Sequence, residues 1–300
     1  MQIYCCIDDT DNIDSPGTGT LADEIVAQIH NANLGRCAPV TRHQLYIHPD
    51  IPYTSHNSSM CFSLETSENC YHKIIQLASE HLNKTAASGS DPGLAVLLFQ
   101  SQTDYSSLIN FGLSAQKEVL TKENAFDCAS KNKIHLSEHG GTGQGVIGAL
   151  AGIGLRLTGN DGEVKGSLKN TLPDGDYKID QLLALEKIDS IVDMANGMPL
   201  SDDAFVHLEN PSKAVWHNSQ AVLFVQKVGN QKYKTFSKQY LRCFGETCPH
   251  FMQDVTEEWV YSIVHSCYNC RYRRWTSDNF TCLKNIKKGK EEKNESHKEI

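Results

Sequence analysis

Apolar positions in the first hundred residues switch between two periods. Ile3 to Ile7 is a short β-favouring run and predicts an N-terminal strand. Leu21, Ile25 and Ile29 recur at helical spacing, with Thr20 expected as N-cap, Asp23 three residues on and Gly35 as the stop. Strands are expected at Gln44 to Ile47 and Ser59 to Leu64, a helix over Tyr71 to Leu82, and a buried strand over Gly93 to Gln100. Strands interleaved with helices make residues 1–104 an α/β unit.

A second unit is expected over 105–228. It would hold a helix around Ala115 to Asn132 with Ser114 as cap, then a strand at Lys133 to Leu136. The helix Val146 to Leu157 carries Gly148 and Gly152 on one face, so another backbone can come close. A strand pair near Glu163 to Gly166 and Tyr177 to Ile179 follows, then a helical Asp180 to Met194 and a strand Gln220 to Gln226. From about 229 the chain turns cysteine-rich, to 284. Residues 285–300 are polar, rich in lysine and glutamate, and expected to be disordered.

Composition narrows the class. The chain has 300 residues, 39% hydrophobic, enough for two or three domains with a substantial core. No apolar run reaches the length of a membrane span, so no membrane partner is expected. Eleven cysteines with no basic-then-apolar start suggest reduced thiols and a cytoplasmic protein. The net charge of −8 excludes a uniformly basic nucleic-acid binder, so any RNA contact must be local.

The chemistry concentrates where the first strand ends. Asp8, Asp9 and Asp11 stand within four positions, and crowding three carboxylates costs repulsion that Mg²⁺ or Mn²⁺ would relieve. Thr10 lies among them, and Gly17-Thr18-Gly19-Thr20 leads into the helix, whose N-terminus favours phosphate. Together these describe a strand–loop–helix nucleotide site without a P-loop lysine. Acid-rich loops also serve merely as caps and turns. A second glycine loop, with Gly141, Gly143 and Gly145 after His139, opens the Val146 helix and reads as a phosphate cradle or as a tight turn.

Cys243, Cys248, Cys267 and Cys270 form two close pairs, a tetrathiolate zinc spacing, with an iron–sulfur cluster as the chemical alternative. The remaining cysteines from Cys5 to Cys128 lack such spacing and are expected to pack as small hydrophobes. Arg271, Tyr272, Arg273, Arg274 and Trp275 interleave cations with rings, which suits RNA phosphates and bases or a solvated basic face. Residues 271–290 hold seven Lys/Arg against one acid, so this patch opposes the overall charge.

Four ordered blocks carry a family resemblance. Asp8-Asp9-Thr10-Asp11 with Gly17 and Thr20 resembles the kinase-like domain of archaeal tRNA-isoleucine 2-agmatinylcytidine synthetases. His48 to Tyr53 is similar to the family's Asn-Pro-Asn-Ile/Val-Pro-Trp, and Asp91 to Leu94 to its Asn-Pro-Gly-Leu. Gly143 to Gly154 is similar to its Gly-Arg-Gly-Leu-Ile-Gly-Ala-Leu-Ala-Ala-Ile-Gly. The family's Lys-Thr-Arg-Gly-Asn is replaced by Thr54-Ser55-His56-Asn57-Ser58, which removes two cations. The chain is also too short for the family's full C-terminal RNA-binding portion.

The resemblance implies an α/β (α+β) protein. It would have a kinase-like ATP- and Mg-binding domain over 1–104, a ferredoxin-like domain over 105–228 and a zinc module over 229–284. It implies ATP as partner, tRNA or another RNA, and agmatine or another amine. Asp8, Asp9 and Asp11 would hold Mg²⁺. Thr20 aligns with a threonine that becomes phosphorylated, so it would accept or contact phosphate. Gly141, Gly143 and Gly145 would shape the neighbouring pocket. The activity expected is ATP-dependent, ligase- or kinase-like acceptor activation. A non-catalytic RNA- or nucleotide-binding sensor is the alternative.

Overall fold

The structure, a computed structural model, describes residues 1–12, 14–51, 57–168, 171–209, 212–235, 251–253, 270, 272–275 and 280–282. It is a mixed α/β protein. In the N-terminal half the elements are β1 (Gln2–Asp8), α1 (Thr18–Asn31), β2 (Arg36–Cys37), β3 (Thr41–Gln44), β4 (Ser58–Glu65), α2 (Tyr71–Thr85), β5 (Gly93–Phe99), α3 (Ser106–Ser114), α4 (Lys122–Lys131), β6 (His135–Glu138) and α5 (Gly145–Leu157). The strands pair antiparallel in the order β6-β5-β1-β4-β3, with β2 on β4.

Alternation along the strands gives this sheet two buried faces. Ile3, Cys5 and Ile7 join Phe62, Leu94 and Val96 against Leu21, Ile25 and Ile29 of α1 and Ile74, Ala78 and Leu82 of α2. Cys6, Cys61, Ala95 and Leu97 face the other way, against Leu108, Ala129, Val146, Leu150 and Ile153 of α3, α4 and α5. The core therefore crosses the expected boundary at 104/105, because α3 to α5 cover the second face of the first sheet. α5 is apolar on nearly every side and buried for most of its length. A Cβ on Gly112 would stand 2.8 Å from the Ala151 carbonyl oxygen, so α3 and α5 meet backbone to backbone.

The sheet continues through β7 (Glu163–Val164), which pairs with β3, into β8 (Gly175–Lys178), α6 (Ile179–Leu183), β9 (Ser190–Asp193), β10 (Met198–Pro199), β11 (Phe205–Leu208), β12 (Val215–His217), β13 (Gln220–Gly229) and β14 (Lys232–Thr235). The order is β7-β12-β13-β14-β11-β8, with β9 parallel to β13 and β10 on β9. Ile191, Val206, Trp216, Leu223 and Val225 are among the residues of its own core. A short pair, β15 (Arg273–Trp275) and β16 (Phe280–Cys282), stands apart. Arg156 of α5 ties the two halves together. Its buried guanidinium donates to Pro39 O and Cys61 O, both at 3.1 Å, and to Thr41 Oγ1 at 2.5 Å, and lies 3.9 Å over the Trp216 ring.

Several sequence expectations need correction. α1 starts at Thr18 with Gly17 as N-cap, and it ends at Ala32 and Asn33, where φ of 52° turns the chain before Gly35 is reached. The strand expected at Gln44 to Ile47 is Thr41–Gln44. The single helix Ala115 to Asn132 is two helices, and Ser114 ends the first. Thr121 caps the second through a reciprocal pair of bonds with Asn124, at 3.3 and 3.1 Å. β7 and β8 exist but do not pair with each other, since β8 pairs with β11. The helical Asp180 to Met194 is five residues of α6 and then β9, because β-branched Ile191 and Val192 find a parallel partner in β13. Cys5, Cys6, Cys61, Cys70 and Cys128 are buried, as their lack of spacing suggested, and Cys37 is half-buried. Among the described residues, no helix is long and apolar enough to cross a membrane.

Candidate functional site: an acidic cavity beside two helix N-termini

β1 ends at Asp8, paired in register with Gly93 at the start of β5. The chain leaves through Asp9 with φ of 51°, a conformation L-residues rarely take. Nearby, the loop from β6 into α5 is pinned where the Gly145 N–H donates to Asp91 O at 3.0 Å. Between these turns lies a cavity of about 100 Å³. Asp8, Asp9, Asp11, Thr18, Gly145 and Gly148 line it, with Asp50, Asn57, Ser58, Glu118 and Gln144 further round. Among the described lining residues there is no Lys or Arg.

The acids are held in different ways. Burial and then the charge of Asp9 push the Asp8 carboxyl well above the usual carboxylate range, against an opposing bond from the Asp9 N–H, with the Asp11 charge adding least. Burial and then the charges of Asp91 and Asp11 raise Asp9 to about 6. A Cβ on Gly148 would overlap Asp8 Oδ2, so that carboxylate rests directly on the backbone of α5. Asp11 Oδ1 accepts the Thr18 hydroxyl at 2.7 Å, and the Thr10 hydroxyl donates to Thr18 Oγ1 at 3.2 Å. Behind Asp9, Asp91 accepts both the N–H and the hydroxyl of Thr142, each at 2.5 Å. Gly141, at φ 54°, lets that loop pass over Asp91, whose carboxylate a Cβ would strike.

The expected metal ligands share a cavity without forming a ready ligand set. Among the described residues, no group of three or more His, Cys, Asp or Glu is set to hold a metal ion. The reason is geometric. Asp8 turns onto Gly148, Asp9 accepts from the Asp91 backbone and Asp11 accepts from Thr18. The donor chemistry nevertheless fits a hard cation, since two carboxyls raised by burial and mutual repulsion are relieved by divalent charge. Thr18 and Gly145 open α1 and α5, so two helix N-termini border the same space, and such ends favour phosphate.

The other expected site residues are scattered. Thr20 is exposed on the first turn of α1 and outside the cavity lining. Gly17 is exposed, and Gly19 is buried where a Cβ would stand 2.6 Å from Lys165 Cε. Gly143 packs on the Glu138 side chain. Cys243, Cys248, Cys267 and Arg271 lie outside the described residues. Cys270 is buried and bridged to Gln253. Tyr272 is also buried, with its hydroxyl 2.8 Å from Met252 Sδ, so its ring is not presented to a base, while Arg273, Arg274 and Trp275 form β15.

Among the lining residues that the sequence reading did not place in the site are Asp50, Glu118 and Gly148. Asp50 and Gly148 sit inside the resemblance blocks, which was their signal. What approaches Gly148 is a carboxylate rather than a backbone. Glu118 had no pattern to mark it.

No protein-family model matches the chain. An uncharacterized protein of Methanocaldococcus jannaschii is 33% identical over 160 residues, 51% of this chain and 50% of that protein. Among solved structures, the chain is similar to apo TiaS, a tRNA agmatidine synthetase, with a TM-score of 0.45 and 24% identity over 56% of this chain and 38% of that one. It is also similar to TiaS in complex with its tRNA and ATP, with a TM-score of 0.47 and 23% identity over 67% of this chain and 50% of that one. The chain thus spans half the length of the curated relative and about two fifths of the apo synthetase.

Proposed function

We propose that the chain is a Mg²⁺- and ATP-dependent enzyme that activates an acceptor by phosphoryl transfer, in the manner of the agmatinylcytidine synthetases it resembles. One observation carries the reading. Five carboxylates line a cavity bordered by two helix N-termini, with no Lys or Arg among the described lining residues. A triphosphate is repelled by such a lining unless a divalent cation enters with it. Asp8, Asp9 and Asp11 would hold that cation, and Thr18 and the first N–H groups of α1 would take phosphate oxygens, with the N-terminal end of α5 adding its dipole. The cation supplies charge neutralisation, and the chain supplies position, which is most of what phosphoryl transfer asks of a protein. Thr20, on the exposed face of the same first turn, would meet only a ligand extending beyond the cavity. Cys243, Cys248, Cys267 and Cys270 would hold a structural zinc, with the basic run from Arg271 as an RNA contact.

The resembling synthetases supply the panel for the test: labelled ATP with and without Mg²⁺, tRNA and agmatine, against an Asp8→Ala control. Metal-dependent products lost in Asp8→Ala support the enzyme. Nucleotide binding without turnover under every condition assigns the sensor instead.

A further inference from the structure

β6 is an edge strand, and it carries a hydrogen-bonded chain unconnected with the acidic cavity. His135 and Ser137 share the face that packs toward α2, and His139 follows them. Ser137 Oγ lies 2.8 Å from His139 Nε2 and 3.1 Å from His135 Nε2, and His139 Nδ1 lies 2.9 Å from Asn83 Oδ1 on α2. Asn83 Oδ1 can only accept, so His139 Nδ1 carries the ring proton and Nε2 is left as an acceptor. The Ser137 O–H then donates to His139 Nε2, while His135 Nε2–H donates to the serine oxygen. Ser137, His135 and His139 are half-buried and Asn83 is exposed, so solvent-borne molecules reach the chain.

This is the arrangement of a nucleophile, a base and a group that orients the base, all at hydrogen-bond distance. We propose that Ser137 is a nucleophile toward activated acyl esters, with His139 as its general base and Asn83 as a positioning residue. In the step, Ser137 Oγ bonds to the ester carbonyl carbon as its proton passes to His139 Nε2. The ester C–O bond breaks, the alcohol leaves, and the proton goes to it or to solvent. Water then hydrolyses the acyl-serine by the same route. The N–H groups of Gly140 and Gly141 make no hydrogen bond among the described residues, and they are the donors nearest in sequence for the developing oxyanion.

The rate should follow loss of a proton from His139. Burial and the neighbouring His135 hold its pKa below the ordinary imidazole value, and His72 on α2 acts likewise on His135. The test uses the full chain and p-nitrophenyl acetate, with nitrophenolate release followed against pH and the acetylated peptide mapped by mass. Expected are an initial release of about one equivalent per chain, acetyl on Ser137, and loss of both in Ser137→Ala. His139→Gln should slow acylation by about 100-fold. Asn83→Asp should move the midpoint of the pH profile upward, because a carboxylate favours the imidazolium. Acetylation persisting in Ser137→Ala, an unchanged rate in a folded His139→Gln, or an unmoved midpoint in Asn83→Asp would overturn the assignment.

Discussion

Gly148→Ala perturbs the cavity with one methyl group and no charge. A Cβ there would overlap Asp8 Oδ2 and stand 2.6 Å from Asp8 Cγ and 2.8 Å from Leu45 Cδ1, whereas ordinary contact begins at 3.4 Å. The carboxylate carbon must therefore retreat by about 0.8 Å, and its oxygen by more. Overpacking of this kind costs about 1–3 kcal/mol, and alanine's better helix propensity returns about 1 kcal/mol. The net loss of about 1 kcal/mol lowers Tm by about 3 °C. The effect on the site is larger, because a misplacement of about 1 Å costs about 100-fold in rate, and a displaced Asp8 also holds the cation less tightly. Calorimetric titration of Mg-ATP, turnover of labelled ATP and thermal melts measure these effects. Gly152→Ala is the control. Its methyl would strike Cys6 Sγ and Ser59 Oγ one turn along the same helix, so it should lose comparable stability and keep nucleotide affinity. Wild-type Mg-ATP affinity in a folded Gly148→Ala chain would refute the placement of Asp8 in the site.

Thr18→Ala should weaken Mg-ATP binding because it removes the hydroxyl on Asp11, whereas Thr20→Ala should leave that binding unchanged; parallel titrations compare them. Asp9 sets a pH dependence. Its folded value of about 6 lies above the unfolded one, so its contribution is full below about pH 4 and is lost as pH rises through 6. After discounting for its solvent-facing part, this amounts to about 2 kcal/mol, read as the difference between wild-type and Asp9→Asn urea melts in EDTA from pH 4 to 7. Mg-ATP affinity should run the other way, weakening as pH falls below 6 and Asp9 takes up a proton. Arg156→Ala should cost about 2–5 kcal/mol, since it removes the charged donor shared by Pro39, Thr41 and Cys61, leaves a void and strips the Trp216 face; denaturant melts measure it.

Much of the N-terminal half was legible because its signals are local. The apolar alternation of Ile3 to Ile7, the spacing of Leu21, Ile25 and Ile29, and the run after Gly93 each match the buried faces observed. The Asp8–Asp11 loop, the His48–Tyr53 block and the glycine loop are distant in sequence, yet each contributes residues to one cavity, a convergence that only the tertiary structure shows. Less legible were features set by tertiary pairing. Ile191 and Val192 gave no sign of choosing a strand until β13 lay beside them. The helix α5 read as the start of a separate unit, although its small, apolar surface is what closes the first sheet. Thr20 looked like the cap because Asp23 follows at capping spacing, but the Asp11–Thr18 hydrogen bond anchors the helix start earlier.

Calorimetric titration of ATP into the full chain, once with Mg²⁺ and once with EDTA, addresses the acidic cavity most directly. With Asp8, Asp9, Asp11, Asp50 and Glu118 around it and no described Lys or Arg in the lining, ATP should bind only with the metal present, and Asp8→Asn should abolish that binding. ATP binding of equal affinity in EDTA would contradict it.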